Sequence, residues 1–172
     1  MPMAWPSNAY TVAVAVVTSG PTDTTVSLAG GWNFRDEFLG QGAPVDIAAL
    51  MINKSCGTWG TYSSTTRTYT GASTNRGTLR GGGTGTSGPV WNIADYISNH
   101  RSYADNGTVS AVYNRKNCTT SERRSIQGEF VYEANDGGSV VSVSAGFGGF
   151  SVSYSSSGAT MTKSSGAKTV PY

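Results

Sequence analysis

The amino-acid sequence predicts a mostly β protein, a single-domain antiparallel β-sandwich with one or two short helices over residues 1–172. Charged residues make up only 13% of the chain, about half the usual share. Gly, Ser and Thr are abundant instead, which is typical of extracellular β proteins. Short segments of alternating polarity recur between turn residues, and no fixed repeat is visible, which disfavours propellers and solenoids.

The first predicted hairpin lies near the start of the chain. Tyr10, Val12, Val14 and Val16 occupy one face of a strand, while the other face is small and mostly apolar. We therefore expect burial on both sides. Turn residues over 19–23 precede a second alternating run, Thr24 to Ala29, which we expect to end at Gly30-Gly31, with Trp32 to Phe34 following as a short strand or turn.

Two segments are predicted to be helical. In 44–53, PVDIAALMIN, a proline stands at the first helical position, Asp46 lies in the first turn, and apolar residues follow helical spacing. In 90–100, VWNIADYISNH, apolar residues share one helical face. Further strands are predicted over 59–70, 109–113 and 126–134, and a long glycine-rich loop over 71–88.

The segment 139–157, SVVSVSAGFGGFSVSYSSS, carries the clearest pattern in the chain. Apolar and small polar residues alternate, and the phase flips at Gly148-Gly149. A two-residue turn at these glycines predicts a hairpin with Phe147 opposite Phe150 and with all apolar residues on one face. The alternative is one long strand with a bulge.

This hairpin has two functional interpretations, because no charged residue occurs between Gly137 and Thr162. Its apolar face can cover the core of a sandwich, or it can face lipid in a bilayer while the serines face water. The uncharged, alternating, Ser-rich pattern is similar to the inserting hairpins of aerolysin-type pore-forming toxins. The candidate membrane residues are Val141, Val143, Phe147, Gly148, Gly149, Phe150, Val152 and Tyr154.

Residues for attachment to a surface are predicted from charge and aromatic content. The basic stretch NRKNCTTSERRS can meet anionic lipid head groups or acidic polymers, or it can simply be solvated. Tryptophan and tyrosine side chains can form a platform against sugar rings or lie at a membrane interface. The candidate surface-binding residues are Arg115, Lys116, Arg123, Arg124, Trp59 and Trp91, with Trp32, Tyr62 and Tyr69 as further platform residues.

The two cysteines, Cys56 and Cys118, are expected to form one disulfide if the protein is extracellular. The bond would link the segment after the first predicted helix to the basic stretch. If the cysteines are unpaired, we expect two buried and inert thiols.

We predict no catalytic residue, no metal site and no cofactor. His100 is the only histidine, and no nucleophile elbow accompanies it. Glu129 and Glu133 share a strand face but stand about 13 Å apart, too far for the carboxyl pair of a glycosidase. The chain contains no EF-hand loop, zinc motif or phosphate-binding lysine motif.

The function predicted from the sequence is a secreted, non-enzymatic protein that binds a cell surface or membrane and can insert the hairpin as part of an oligomer. A carbohydrate- or protein-binding module is the second hypothesis, and a secreted hydrolase is the third. The expected partners are membrane lipid or a cell-surface glycan, with self-association, and no nucleic acid at a formal charge of +2. No signal peptide is recognisable, so we expect secretion to have used a leader absent from this sequence.

Overall fold

The computed structural model describes residues 7–17, 24–35, 45–68, 70–81, 88–94, 97–98, 101–102, 104–136, 138–156 and 158–169. These residues are mostly β, in antiparallel sheets, with one short helix among them, which confirms the predicted fold class. The elements in chain order are β1 Tyr10–Val17, β2 Thr25–Phe34, β3 Asp46–Ile52, β4 Thr58–Arg67, β5 Ser73–Thr74, β6 Gly77–Gly81, β7 Val90–Ile93, β8 Ile97–Ser98, β9 Arg101–Ser102, β10 Asn106–Asn114, α1 Thr120–Arg124, β11 Gln127–Asp136, β12 Val140–Gly146, β13 Gly149–Tyr154, β14 Ala159–Ser164 and β15 Lys168–Thr169.

Two large sheets form the sandwich. Sheet 1 has the strand order β1-β2-β10-β4-β5, and sheet 2 has the order β14-β11-β3-β7-β6, with β15 also paired to β11. Strands β1 and β2 pack against β11, so the core lies between the two sheets. Among the strands that the structure describes, β12 and β13 pair with each other alone, and β8 and β9 form a separate two-stranded ribbon.

The first predicted hairpin is present as β1 and β2, but two of its details are wrong. Thr11, Ala13 and Ala15 are exposed, so β1 is buried on one face only. β2 continues through the two glycines to Phe34. A glycine is needed inside this strand, because a Cβ on Gly30 would lie 2.1 Å from the ring of Phe130 in sheet 2.

The helix predicted over 44–53 is wrong, since this segment forms the central strand β3. All seven residues of Asp46–Ile52 are buried, and the strand pairs with β11 on one side and β7 on the other. Ala48, Leu50 and Ile52 belong to the core between the sheets. Ile47 and Met51, on the opposite face, are also buried. A strand covered on both faces loses its alternating pattern and can resemble a helix in sequence.

The helix predicted over 90–100 is also wrong within the described residues. Val90–Ile93 forms β7, which pairs with β3 and with β6, and Ile97–Ser98 forms β8. The strand pairing of β7 with β3 and β6 places the Trp91 side chain in the core, where it is only 1% exposed. The predicted loop 71–88 contains β5 and β6, and residues 82–87 lie outside the described part of the chain.

An aromatic cluster joins the two sheets. The rings of Trp32 and Tyr132 stack with their centroids 4.8 Å apart, and Tyr10 lies 5.0 Å from Phe34 and 5.4 Å from Tyr132. The hydroxyl of Tyr10 lies within hydrogen-bond distance of the backbone carbonyls of Tyr132 and Met161, at 3.0 and 2.5 Å, and donates its one proton between them. The hydroxyl of a buried tyrosine thus finds a hydrogen-bond acceptor in sheet 2, while its ring fills the core.

Candidate functional site: a hairpin over the outer face of sheet 2

The predicted hairpin is present, but its turn is displaced by one residue. Gly146 pairs with Gly149, so Phe147 and Gly148 form the turn. Gly148 has a φ of 73°, a conformation that favours glycine. Ala145 therefore lies opposite Phe150, and the predicted Phe147–Phe150 pair is wrong. The pairing from Ser142 to Ser153 differs from the prediction by two residues, which leaves the side chains of this part on their predicted faces.

The two faces of the hairpin differ as the sequence pattern predicts. Val143 pairs with Val152, and these side chains are half-buried, whereas Ser144 and Ser151 are paired and exposed. Val141 is an exception, because it lies at a bulge in β12 and is 62% exposed.

The hairpin forms a third layer on the side of sheet 2 that faces away from sheet 1. β12 packs against β3. The neighbouring residues Ile47 and Val131 are buried, although they do not belong to the core between the two large sheets. The hairpin lies against this face, which accounts for the burial of β3 on both sides.

One side-chain pair joins the end of the hairpin to sheet 2. The hydroxyl of Tyr154 in β13 donates a hydrogen bond to one carboxylate oxygen of Glu133 in β11. The other carboxylate oxygen accepts a bond of 2.6 Å from the hydroxyl of Thr162. Glu133 is only 7% exposed. Burial first, and then the bond to Glu133, raise the pKa of the Tyr154 phenol well above its usual value.

Two further contacts hold the first strand of the hairpin. Arg80 of β6 donates a hydrogen bond of 3.2 Å to the carbonyl of Val141, and the backbone N–H of Gly88 approaches the carbonyl of Ala145 at 3.4 Å. β12 and β13 are hydrogen-bonded to each other and not to a described strand of sheet 2. The contacts above and apolar packing therefore connect the hairpin to sheet 2. A cooperative unit held in this way can separate from the sandwich without unpairing its own strands.

The predicted basic surface is only partly present. Arg115 is fully buried and cannot act as a surface cation. Arg123 donates from its guanidinium to the backbone carbonyls of Arg115 and Lys116, at 3.2 and 3.0 Å. Lys116 and Arg124 are exposed. The segment is more ordered than predicted, since helix α1 occupies it with a capping box of Thr119 and Glu122.

The predicted aromatic platform does not form from the described residues. Trp32, Trp59 and Trp91 are 3%, 9% and 1% exposed and lie in the core. Tyr62 is partly buried and packs against Trp91 with 6.5 Å between ring centroids. Tyr69 lies outside the described residues. Trp59 and Trp91 are thus structural residues in this conformation.

The cysteines form the expected disulfide. The Cys56–Cys118 bond links the segment after β3 to the segment before α1 and closes a loop with a sequence separation of 62. Tyr113 lies beside this linkage and is held by two hydrogen bonds, from the N–H of Gly57 and to the carbonyl of Lys54.

The carboxylates considered for catalysis have structural partners. Glu133 holds the hairpin, and Glu129 accepts a hydrogen bond of 2.6 Å from Ser164. His100 lies outside the described residues. Within the described ranges, no group of three or more His, Cys, Asp or Glu side chains is placed to hold a metal ion. The same ranges include no helix with the length and apolar content to span a bilayer.

Sequence reasoning did not identify the anchoring role of Glu133, which it considered only as one of a carboxylate pair. The available signal was a charged residue on β11, at a position that alternates with the core residues Tyr132 and Ala134. Its partner Tyr154 could be identified as a hairpin residue, but their contact depends on how the hairpin folds over sheet 2.

Comparison with known proteins gives no family. No family model matches the chain, and no curated protein matches it. A crystal structure of a DUF4466 family protein from Parabacteroides merdae is similar with a TM-score of 0.40 and 14% sequence identity. The match covers 96% of this chain and 46% of that chain, so this chain spans less than half of the similar protein.

Proposed function

We propose that this protein is a secreted, non-enzymatic protein that attaches to a cell surface and, in an oligomer, inserts the hairpin of β12 and β13 into the lipid bilayer. One observation carries the proposal. The hairpin is an uncharged two-stranded unit with one hydroxyl face and one apolar face, and it lies on the sandwich without joining either large sheet.

The uncharged part of the chain is long enough to cross a bilayer. A membrane-spanning strand needs about 9–11 residues. β12 and β13 are shorter, at 7 and 6 residues. However, the ten residues before the turn, 137–146, and the ten after it, 149–158, carry no charged side chain. Insertion would extend both strands to these limits.

Apolar packing explains why the hairpin stays on sheet 2 in water. Its removal would expose Ile47, Met51 and Val131, which are now buried. Exposing three such side chains costs about 5–9 kcal/mol, at 1.5–3 kcal/mol each. A bilayer would accept the apolar face of the hairpin and offset part of this cost. Membrane contact, together with neighbouring protomers, is therefore the proposed trigger for release.

The disulfide and the remaining exposed cations fit attachment outside the cell. A structural disulfide such as Cys56–Cys118 is typical of chains that fold in an oxidising compartment. Lys116 and Arg124 lie close together in sequence and are exposed. They are the proposed contacts with anionic lipid head groups, each contributing about 1 kcal/mol near such a surface.

Dye release from liposomes tests the proposal. We expect the wild-type protein to empty vesicles of phosphatidylcholine with phosphatidylserine and to form a larger particle in detergent. Val143→Asp places a charge on the apolar face and is expected to abolish release. Ser144→Asp places the same charge one residue away on the hydroxyl face and is expected to retain it, because that face would line water.

Folding of the variants is checked by circular dichroism and thermal unfolding. Phe147→Asp, in the two-residue turn, provides a second loss-of-release variant if Val143→Asp unfolds. Equal release by Val143→Asp and Ser144→Asp, or no release by the wild-type protein from any vesicle composition, would contradict insertion.

The second candidate function is carbohydrate binding. It is favoured by an open, uncharged groove on the outer face of sheet 1, away from the hairpin. The two candidates are compatible, because the groove and the hairpin lie on opposite sides of the sandwich.

A further inference from the structure

The outer face of sheet 1 contains a groove of about 430 Å³ near one end of β1, β2 and β10. We call it the outer groove. It is large enough for a small ligand, since ligand sites begin at about 300 Å³. The side chains on its outer surface are those of Thr11, Ala13, Asn33, Asn106 and Thr108, with Gly31 between them.

Gly31 makes the floor of the outer groove. It pairs with Ala13 on β1 and with Thr108 on β10, so it lies in the middle of three strands. The nearest atoms to a Cβ built there would be the carbonyl oxygen of Gly107 at 3.4 Å and the hydroxyl of Thr108 at 3.7 Å. A Cβ would therefore meet these atoms at ordinary contact distance, and a larger side chain would project into the groove and fill it.

The polar side chains around this floor are available to a ligand, as far as the described residues show. Thr11, Asn33, Asn106 and Thr108 make no side-chain hydrogen bond to any part of the chain that the structure describes. Elsewhere on the same face, Ser63 and Ser110 bond to each other across β4 and β10 at 2.5 Å. Two amides and two hydroxyls thus converge on the outer groove with donors and acceptors available.

The outer groove is also uncharged. Among the described residues that line it, none has an acidic, basic or histidine side chain. The nearest cation in the strand register is Arg67, opposite Asn106 on β4, and its guanidinium donates a hydrogen bond of 3.2 Å to the carbonyl of Gly71. The lining side chains therefore offer hydrogen bonds but no charge of their own, which favours a neutral polar ligand.

We propose that the outer groove binds a neutral sugar residue of a cell-surface glycan. A pyranose presents hydroxyls that both donate and accept, which matches the amides of Asn33 and Asn106 and the hydroxyls of Thr11 and Thr108. The glycine floor lets the ring approach the backbone. The inference rests on the proposed attachment to a cell surface and identifies the chemistry of the attachment site.

An array of immobilised oligosaccharides tests the inference, with glucose-, galactose-, mannose- and N-acetylglucosamine-terminated glycans as the neutral arm and sialylated and sulfated glycans as the charged arm. We expect binding in the neutral arm, and titration calorimetry with the matching methyl glycoside should reproduce the preference. Asn33→Ala and Asn106→Ala should each weaken binding about tenfold, through loss of one or two hydrogen bonds.

Gly31→Val is the decisive variant, because it fills the groove without a backbone clash and should reduce binding more than tenfold. Gly60→Val is its matched control. Gly60 lies on β4, outside the outer groove, and a Cβ there meets no atom within 4 Å. This variant should bind as the wild-type protein does. Thermal unfolding establishes that both variants are folded.

Three outcomes would overturn the inference: no binding to any neutral glycan, preference for the charged arm, or equal binding by Gly31→Val and the wild-type protein. If the protein binds no glycan and Gly31→Val differs from the wild-type protein in particle size, this face would instead be assigned to self-association. Dye release from glycan-free liposomes is measured in parallel. Release without glycan binding would reject the glycan site and leave hairpin insertion standing. Glycan binding without release would support the glycan site and contradict hairpin insertion.

Discussion

The phenol of Tyr154 donates a hydrogen bond to the buried carboxylate of Glu133, and this pair joins the last residue of β13 to the central part of β11. It links a side chain of the hairpin to a charged group of sheet 2. A hydrogen bond to a charged acceptor contributes about 1.5–3 kcal/mol to stability. The pair is therefore the strongest single polar contact that we identify between the hairpin and the sandwich.

Removing the phenol hydroxyl should loosen the hairpin. In Tyr154→Phe the ring remains, but Glu133 keeps only the hydroxyl of Thr162 as a side-chain donor. We expect amide hydrogen exchange in 140–154 to accelerate about tenfold or more, because the cost of local opening falls. Exchange in β3 and β10 should stay slow.

Tyr62→Phe is the matched control for this variant. It removes a hydroxyl that has no hydrogen-bond partner among the described residues, and it should leave the exchange of the hairpin unchanged. Identical exchange in 140–154 for Tyr154→Phe and the wild-type protein would show that Glu133 does not hold the hairpin.

Alkaline pH should destabilise the fold through its buried tyrosines. Burial is the main cause that raises the pKa values of Tyr10, Tyr113 and Tyr154 above the ordinary value of 10.0. In the unfolded chain these phenols lose their protons near pH 10, whereas the folded chain retains them. The contribution of these phenols to the free energy of unfolding should therefore be constant below pH 10 and fall as the pH rises above it.

Absorbance at 295 nm measures this effect. Of the nine tyrosines in the chain, we expect the three with raised pKa values, Tyr10, Tyr113 and Tyr154, to ionise only with unfolding. Urea unfolding at pH 8 and pH 10.5 gives the change in stability. Complete titration of all tyrosines near pH 10 while the far-UV spectrum stays native would be inconsistent with the buried phenols described above.

Loss of the disulfide should destabilise the protein without changing its fold. The bond closes a loop with a sequence separation of 62, for which the chain-entropy estimate is about 4 kcal/mol. Cys56→Ser combined with Cys118→Ser should lower the urea midpoint by a corresponding amount. Wild-type protein reduced with dithiothreitol should show the same midpoint as the double variant, and an unchanged midpoint in both would contradict the role of the bond.

Asp46→Asn should destabilise the edge of the core. One carboxylate oxygen of Asp46 accepts a bond of 2.7 Å from the hydroxyl of Tyr132, and the other accepts a bond of 2.8 Å from the backbone N–H of Asn135. An asparagine has only one acceptor oxygen, so one buried donor would lose its partner. We expect a loss of about 1–3 kcal/mol by thermal or urea unfolding.

Glu129→Gln is the control for this substitution. It makes the same chemical change at a half-exposed carboxylate on β11, whose one side-chain partner is Ser164. Its effect should stay within about 0.5 kcal/mol, as for most surface substitutions. An equal loss in both variants would show that burial of Asp46 is not the cause.

Several local features could be predicted from the sequence because each depends on residues close together in the chain. The two-residue period of 139–157 predicts the paired strands β12 and β13 and the face that each side chain occupies. The same period predicts β1 and β4. The turn at Phe147 and Gly148 was displaced by one residue, since either of two adjacent glycines can supply a positive φ and only strand pairing selects one.

Other features depend on which distant parts of the folded chain pack over a given segment and bury it. β3 resembles a helix in sequence because sheet 1 covers one of its faces and the hairpin lies over the other. Arg115, Trp59 and Trp91 look suited to a surface in a polar sequence context, yet all three are buried by residues far along the chain. The outer groove requires the register of three strands, β1, β2 and β10, which brings Gly31 beside Thr108.

The sequence by itself determined that this protein is a β-sandwich with an uncharged, two-faced hairpin and one pair of cysteines, because composition and a period of two residues are local properties. Only the tertiary structure decided that the hairpin lies over sheet 2, held by Tyr154 and Glu133, and that a groove lies on the outer face of sheet 1. Burial and hydrogen-bond partners depend on contacts between residues distant in the chain, and no local pattern encodes these contacts.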